Sequence, residues 1–164
     1  LGTGNHPCGM VRGPMQLTMS RSVDPVLPVE LTITRVVRTK DEDNKETEMG
    51  TKPIIYYGLY RGGGFYSPKL AEKTGVTSED LRLFWQALIG LFDHDHAAAR
   101  GLLQMQKIFV FKHASPLGNY PSGKLFDLIE VTRKPGVVSA RSFKDYEVTV
   151  RETPSEAVSL VELL

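Results

Sequence analysis

Cysteine is almost absent from this sequence, since Cys8 is the single cysteine among 164 residues. One cysteine excludes an internal disulfide framework and fits a protein that works in a reducing compartment. Long hydrophobic runs are missing too. No apolar stretch approaches the roughly 20 residues that cross a membrane, and the first residues lack the pattern of a secretory signal. We therefore expect a cytoplasmic protein with no membrane partner.

An excess of charge of one sign is also missing. The chain has 20 lysines and arginines against 19 aspartates and glutamates, which leaves a formal net charge of +1. A protein with this balance binds nucleic acid only if its cations are clustered rather than abundant. Hydrophobic residues make up 41% of the chain. That content is enough to bury a core, and the length predicts one domain.

Recognisable catalytic and cofactor motifs are absent as well. The sequence has no Gly-x-Ser-x-Gly elbow and no P-loop lysine motif, and its carboxylates and His113 show no acid–base spacing. Residues 93–96, Asp-His-Asp-His, contain metal-ligand types, but on a helix two residues that are two apart lie on different faces. The pair of His6 and Cys8 lacks a second pair of zinc ligands. We expect no enzymatic activity, no metal and no cofactor.

The most informative stretch that is present runs from residue 56 to residue 68. It reads Tyr-Tyr-Gly-Leu-Tyr-Arg-Gly-Gly-Gly-Phe-Tyr-Ser-Pro. Aromatic rings and an arginine plane offer stacking surfaces for unpaired bases, and glycines let the backbone approach a ligand closely. The alternative is a strand whose aromatic residues fill a core and which ends in a flexible turn. The stretch alone favours neither interpretation.

Alternating hydrophobicity predicts strands in the N-terminal half of the chain. The predicted strands cover residues 11–20, 29–38 and 54–60, and a polar loop at 40–50 joins the last two into a projecting β-hairpin. Met49 is the only apolar residue of that loop. On the first strand, the face predicted to be buried consists of Val11, Met15, Leu17 and Met19.

The C-terminal half contains one predicted helix and several predicted strands. Thr77 is a good N-cap with Asp80 placed to close a capping box, and the helix is predicted to end near Arg100. Strands are predicted at 108–111, 125–132 and 146–150, and residues 154–164 fit either a short helix or a strand. Strands with one long helix predict an α+β fold, in which the helix covers one face of a mainly antiparallel sheet.

Basic residues occur at predicted strand ends and glycine turns, where a chain of phosphates could be bound. For any one of them, a solvated side chain is the simpler interpretation. The set lies beside aromatic residues and glycines, and this favours a nucleic-acid contact. Its members are Arg12, Arg21, Arg35, Arg38, Lys52, Arg61, Lys69 and Lys124.

Several motifs, taken in chain order, resemble the signature of one protein family. They are Val-Arg-Gly-Pro-Met-Gln-Leu-Thr-Met-Ser-Arg-Ser-Val-Asp-Pro at 11–25, Tyr-Gly-Leu-Tyr at 57–60 with Gly-Phe at 64–65, Leu-Ala-Glu-Lys-Thr-Gly at 70–75, Ala-Ala-Arg-Gly at 98–101, and Leu-Gly-Asn at 117–119 with Lys-Leu-Phe-Asp at 124–127. On these motifs the chain resembles the CRISPR RNA-binding backbone subunit (Csd-type, RAMP superfamily) of type I-C Cascade surveillance complexes. The resemblance covers residues 9–164.

The resemblance implies both a fold and an assembly. It implies an RRM-like (ferredoxin-like) palm at residues 1–24 and 59–164, with an inserted β-hairpin thumb at 25–58. Copies of the subunit would assemble head to tail along the CRISPR RNA, beside other Cascade subunits. Each thumb would flip out one nucleotide and leave the intervening segments to pair with target DNA in antiviral defence. The subunit itself would not cut nucleic acid.

The candidate RNA contacts follow from position and residue type. We expect the cations to bind phosphates, two aromatic side chains to stack on bases, two glycines to bring backbone near the RNA, and the thumb methionine to insert between bases. The cations are Arg12, Arg21, Arg61, Lys69 and Lys124. The aromatic side chains are Tyr60 and Phe65, the glycines are Gly63 and Gly64, and the thumb methionine is Met49.

Two departures from the family bear on these expectations. Members usually carry histidine where this chain has Gly63 and Gly123, which counts against the alternative function, an RNA-processing endoribonuclease of the same superfamily. Members also begin with a core strand and a glycine/asparagine-rich loop that this chain lacks. Without that strand a sheet would expose unpaired edges. We therefore expect that the protein contains further polypeptide, or that this chain is not independently stable.

Overall fold

The structure, a computed structural model, describes residues 9–35 and 48–164. It is a mixed α/β fold. Within the described residues the strands form small two-stranded sheets rather than the larger sheet that the sequence predicts. The chain divides into two compact units. The first comprises Leu1–Met19, Gly62–Glu130 and Val148–Leu164, and the second comprises Ser20–Arg61 and Val131–Glu147.

The elements of secondary structure are short. In chain order, the strands are β1 (Met15–Leu17), β2 (Arg21–Ser22), β3 (Val29–Arg35), β4 (Glu48–Ile54), β5 (Tyr60–Arg61), β6 (Gly64–Tyr66), β7 (Phe109–His113), β8 (Ile129–Arg133), β9 (Tyr146–Val150) and β10 (Val158–Glu162). The helices are α1 (Pro68–Thr74), α2 (Ser78–Ile89) and α3 (Ser122–Phe126), and Phe143–Asp145 forms a 3-10 turn.

Four of the five strand pairs lie within one unit, and these four are antiparallel. In the first unit, β1 pairs with β6 and β7 pairs with β10. In the second unit, β2 pairs with β5 and β3 pairs with β4 to form a hairpin. The fifth pair joins β8 and β9, whose residues are divided between the two units.

The predicted start of the long helix is confirmed. The Thr77 hydroxyl accepts a hydrogen bond from the Asp80 backbone N–H at 3.2 Å, and the Asp80 carboxylate accepts one from the Thr77 N–H at 2.8 Å. These two bonds form the predicted capping box. The predicted end near Arg100 is wrong, because α2 stops at Ile89 and its last turn is closed by the Gly90 N–H, which donates to Gln86 O.

Two further helices were not predicted. The N-cap of α1 is Ser67, whose hydroxyl accepts from the Leu70 N–H, and Gly75 ends the helix in the left-handed conformation with φ of 73°. Helix α3 and the turn that follows it occupy the first four residues of the strand predicted at 125–132, so that strand begins only at Ile129. It follows Pro121, whose ring favours the start of a helix over a central strand.

The predicted strands are partly confirmed. Residues 29–35 and 146–150 are strands, and the ambiguous tail contains β10. The strand predicted over 11–20 contracts to β1, which begins directly after Pro14, a residue with no N–H for a ladder. The strand predicted over 54–60 is wrong because β4 ends at Ile54, where its pairing with Val29 of β3 also ends.

Few side chains are fully buried. In the described residues, the buried hydrophobic side chains are Ala71, Ile108, Leu125, Ile129, Tyr146 and Val158. No residue of α2 is buried. The predicted buried face of the first strand is also wrong, since Val11 and Leu17 are exposed and Met19 is 96% exposed. In the described residues this segment pairs only with β6, and of the predicted face only Met15 is half-buried.

Some sequence predictions lie outside the described residues. These are the zinc-ligand types His6 and Cys8, the basic residue Arg38, and most of the polar loop at 40–50. The part of that loop that is described, residues 48–50, belongs to β4. In the described part of the chain, no helix has the length and apolar character needed to cross a lipid bilayer.

Candidate nucleic-acid interface

In the first unit, the glycine turn is fixed by Thr18. The Thr18 N–H and hydroxyl both donate to Gly63 O, at 2.8 Å and 3.1 Å, and the Gly63 N–H donates to the Thr18 hydroxyl at 3.1 Å. All three bonds hold one residue of the triple glycine against the end of β1. This part of the turn is therefore anchored to the protein.

The same glycines approach neighbouring protein atoms closely. A Cβ added at Gly64 would lie 2.9 Å from Leu17 Cδ2 and 3.2 Å from the backbone oxygen of Gln16. A Cβ at Gly63 would lie 3.6 Å from the Phe126 ring. The β1–β6 pairing thus accounts for Gly64 without a ligand, and close approach of these glycines to RNA stays a prediction.

Phe65 and Phe126 form an aromatic contact beside this turn. Their ring centroids are 5.6 Å apart with an interplanar angle of 52°. Phe65 remains 44% exposed, so part of its ring is open to a ligand. Helix α3, which provides Phe126, also provides the exposed Lys124.

The cations of the first unit differ in their surroundings. Arg12 and Lys124 are exposed, and neither forms an ion pair with a residue in 9–35 or 48–164. Lys69 is exposed as well, but its ammonium group lies 3.0 Å from both carboxylate oxygens of Glu72. Exposed pairs of this kind are weak, so Lys69 is available to a phosphate only in competition with Glu72.

In the second unit, two arginines face each other across a strand pair. Arg21 of β2 is the register partner of Arg61 of β5, and Ser22 is the partner of Tyr60. Directly opposite side chains on antiparallel strands lie about 5 Å apart at Cβ, and like charges there are destabilising. Both arginines are exposed, as is the Tyr60 ring. The pair therefore concentrates positive charge next to an open aromatic surface.

The hairpin of the second unit carries an exposed methionine. Met49 is paired with Thr34 in the β3–β4 ladder, and its side chain is 76% exposed. The prediction that Met49 lies in a loop is wrong, because strand pairing continues through it. Its insertion between bases stays a prediction.

The ends of this hairpin contact the segment at 131–147. The Tyr146 hydroxyl donates to Asp24 Oδ2 at 2.8 Å, and an Arg133 guanidinium nitrogen lies 4.0 Å from the same oxygen. Burial, together with the hydrogen bond to Asp24, raises the pKa of Tyr146 to about 12. The Arg141 guanidinium lies over the Tyr56 ring, 5.3 Å from its centroid. Sequence reasoning missed all of these contacts.

Comparison with known proteins identifies the family. A model of the family described as CRISPR-associated protein Cas7 matches residues 1–151. The chain belongs to the Cas7 family. Members of this family are RNA-binding backbone subunits of Cascade-like complexes in CRISPR defence, and they are generally non-catalytic. No curated protein matches the chain.

In the structure of this Cas7 member, the predicted contacts fall into two groups, one in each unit. Within the second unit, Arg21, Tyr60 and Arg61 come together on the β2–β5 pair, and Met49 lies on the hairpin. Within the first unit, Gly63, Gly64 and Phe65 gather near the helix of Lys124, while Arg12 and Lys69 lie on separate segments. All ten candidates lie inside the matched range.

The acidic and histidine-rich stretch of this Cas7 member lies in turns after α2. Residues 93–96 are therefore not helical, contrary to the prediction, because Gly90 has already ended the helix. Asp95 forms a bidentate pair with Arg100, and the hydrogen bonds from Arg100 lower the pKa of the Asp95 carboxyl. Across residues 9–35 and 48–164, no three metal-ligating side chains gather in one place.

Proposed function

We propose that this chain is a non-catalytic CRISPR RNA-binding subunit of a type I-C Cascade, and that copies assemble head to tail along the RNA. The observation that supports RNA binding best is the opposition of Arg21 and Arg61 beside the exposed Tyr60. A phosphate of the RNA contacts the two guanidinium groups, and the tyrosine ring provides a surface for the adjoining base.

The two structural parts of the proposal are an RRM-like palm at residues 1–24 and 59–164 and a thumb at 25–58. The β3–β4 hairpin supports the thumb, since it is an antiparallel ribbon that presents Met49 to solvent. Met49 inserts between bases and displaces one nucleotide. The intervening nucleotides pair with target DNA, and other Cascade subunits contact the assembly.

The remaining contacts lie in the first unit. Arg12, Lys69 and Lys124 bind phosphates, and the open part of the Phe65 ring stacks on a base. The backbone at Gly63 and Gly64 borders the RNA.

Nucleic acid that co-purifies with the full-length protein provides the first test. A uniform RNA of CRISPR RNA length supports the proposal, and heterogeneous or absent RNA contradicts it. Incubation with repeat RNA separates the proposal from the endoribonuclease, which would release discrete cleavage products.

The second test measures affinity for single-stranded RNA as a function of salt. If Arg21 and Arg61 contact phosphates, Arg21→Ala and Arg61→Ala each reduce the slope of log affinity against log salt by about 0.7. Arg82→Ala is the matched control, because Arg82 is an exposed arginine on α2 that is paired with Glu79. Unchanged slopes in both test variants would show that the phosphate assignment is wrong.

A further inference from the structure

Three cations of the second unit are gathered around Asp145. The Asp145 carboxylate accepts hydrogen bonds from the backbone N–H groups of Arg141 at 2.7 Å and Ser142 at 2.9 Å. Its main-chain oxygen accepts from the Lys134 N–H at 2.9 Å, and Lys144 is its neighbour in sequence. Lys134, Arg141 and Lys144 therefore project from backbone positions beside one residue, and all three are exposed.

The acidic groups nearby do not cancel this charge. The Asp145 carboxylate is bonded to backbone amides, and those bonds are the main cause of its lowered pKa. Amide dipoles offset part of its negative charge. The second carboxylate, Glu147, is exposed on β9. The cluster therefore has three cations and two carboxylates, and one of these carboxylates, Asp145, is bonded to backbone amides. A net positive, solvent-exposed group remains.

An exposed aromatic ring adjoins the cluster. The Arg141 guanidinium lies 5.3 Å from the centroid of the Tyr56 ring, and Tyr56 is 64% exposed. A guanidinium at this distance is attracted to the ring face. Most of the ring's surface stays open to a ligand.

We propose that Tyr56, Lys134, Arg141 and Lys144, here called the Tyr56 surface, bind single-stranded RNA. An unpaired base stacks on the open part of the Tyr56 ring, and the adjoining phosphates contact the cations. A positively charged surface with an exposed aromatic ring is the combination that binds unpaired strands. A duplex buries its base faces and would leave the ring unused. This inference rests on the proposed function and adds a contact outside the Arg21–Arg61 pair.

Fluorescence anisotropy with a labelled single-stranded RNA tests the Tyr56 surface in the full-length protein. The double variant Lys134→Ala/Lys144→Ala reduces the salt slope by about 1.4, since each lost phosphate contact removes about 0.7. Tyr56→Ala weakens binding by at least about fivefold with an unchanged slope, because stacking does not release counterions. Tyr56→Phe restores the affinity, since it keeps the ring.

The control variant is Arg82→Ala/Lys112→Ala, which removes two exposed cations from the first unit and should bind like the wild type. If the Tyr56-surface variants also match the wild type, this contact is wrong while the proposed function stands. If the wild type binds no RNA, both are wrong. A labelled single-stranded DNA with the nucleotide sequence of the RNA probe is tested in the same way. Variants that weaken only the binding of this DNA would overturn the assignment to RNA.

Discussion

The hydroxyl of Tyr146 donates a hydrogen bond to Asp24 Oδ2 over 2.8 Å, and these residues are 122 positions apart in sequence. The Tyr146 ring also stacks on Tyr57, with ring centroids 6.4 Å apart. Asp24 precedes the hairpin and Tyr57 follows it. One buried side chain therefore contacts the chain on both sides of the hairpin and holds its two ends near each other.

Replacing Tyr146 with phenylalanine keeps the ring and removes only the hydroxyl. We expect Tyr146→Phe to lower the free energy of unfolding by about 1.5 kcal/mol, because a hydrogen bond to a charged group contributes about that much. Urea unfolding of the purified full-length protein measures the change. Tyr120→Phe is the control, since no described residue bonds to the Tyr120 hydroxyl. Equal losses in the two variants would contradict a role for the hydrogen bond.

The same tyrosine predicts a loss of stability at high pH. Burial and the bond to Asp24 raise its pKa from 10.0 to about 12. Between these values the unfolded chain releases the phenol proton while the folded protein retains it, so rising pH favours unfolding. The contribution of Tyr146 is complete below pH 10 and is lost as pH rises towards about 12. Over this window, the unfolding free energy of Tyr146→Phe should fall less steeply than that of the wild type.

Local signals in the sequence predicted the start of α2 but not its end. The capping box depends on Thr77 and Asp80, which are three positions apart, so the pattern contains its own partner. At the other end, apolar residues continue past Gly90 and extend the helical period to Leu91 and Phe92. In the structure Gly90 ends the helix. The sequence contained both a helix-ending glycine and a continuing apolar period, and periodicity alone could not show that the glycine would prevail.

Contacts between distant residues account for most of what the sequence did not predict. Composition and position selected Arg21 and Arg61 separately, but nothing local indicates that β2 and β5 place them in register. The contact of Tyr146 with Asp24 has the same origin. Arg141 was not selected as a candidate RNA contact, because its proposed role depends on its contact with the Tyr56 ring, and Tyr56 lies in another segment of the chain.

Two glycines of the first unit should respond oppositely to the same substitution. A methyl group at Gly64 meets Leu17 and the backbone oxygen of Gln16 at 2.9 Å and 3.2 Å, so Gly64→Ala should destabilise the protein by about 1–3 kcal/mol. Gly123 lies in α3 with open space around its Cα, and Gly123→Ala should be neutral or stabilise by up to about 1 kcal/mol. Urea unfolding measures both. A tolerated Gly64→Ala would show that β1 and β6 separate easily.

Charge reversal at Arg21 should separate stability from RNA binding. Arg21→Glu places a carboxylate opposite Arg61 in the β2–β5 pair, and an opposite-charge pair in register stabilises by about 0.5 kcal/mol. The same change puts a negative charge where a phosphate is proposed to bind, so RNA affinity should fall more than in Arg21→Ala. Thermal unfolding without RNA and anisotropy with RNA measure the two effects. A variant that loses both stability and affinity would indicate that Arg21 acts through the fold rather than on the RNA.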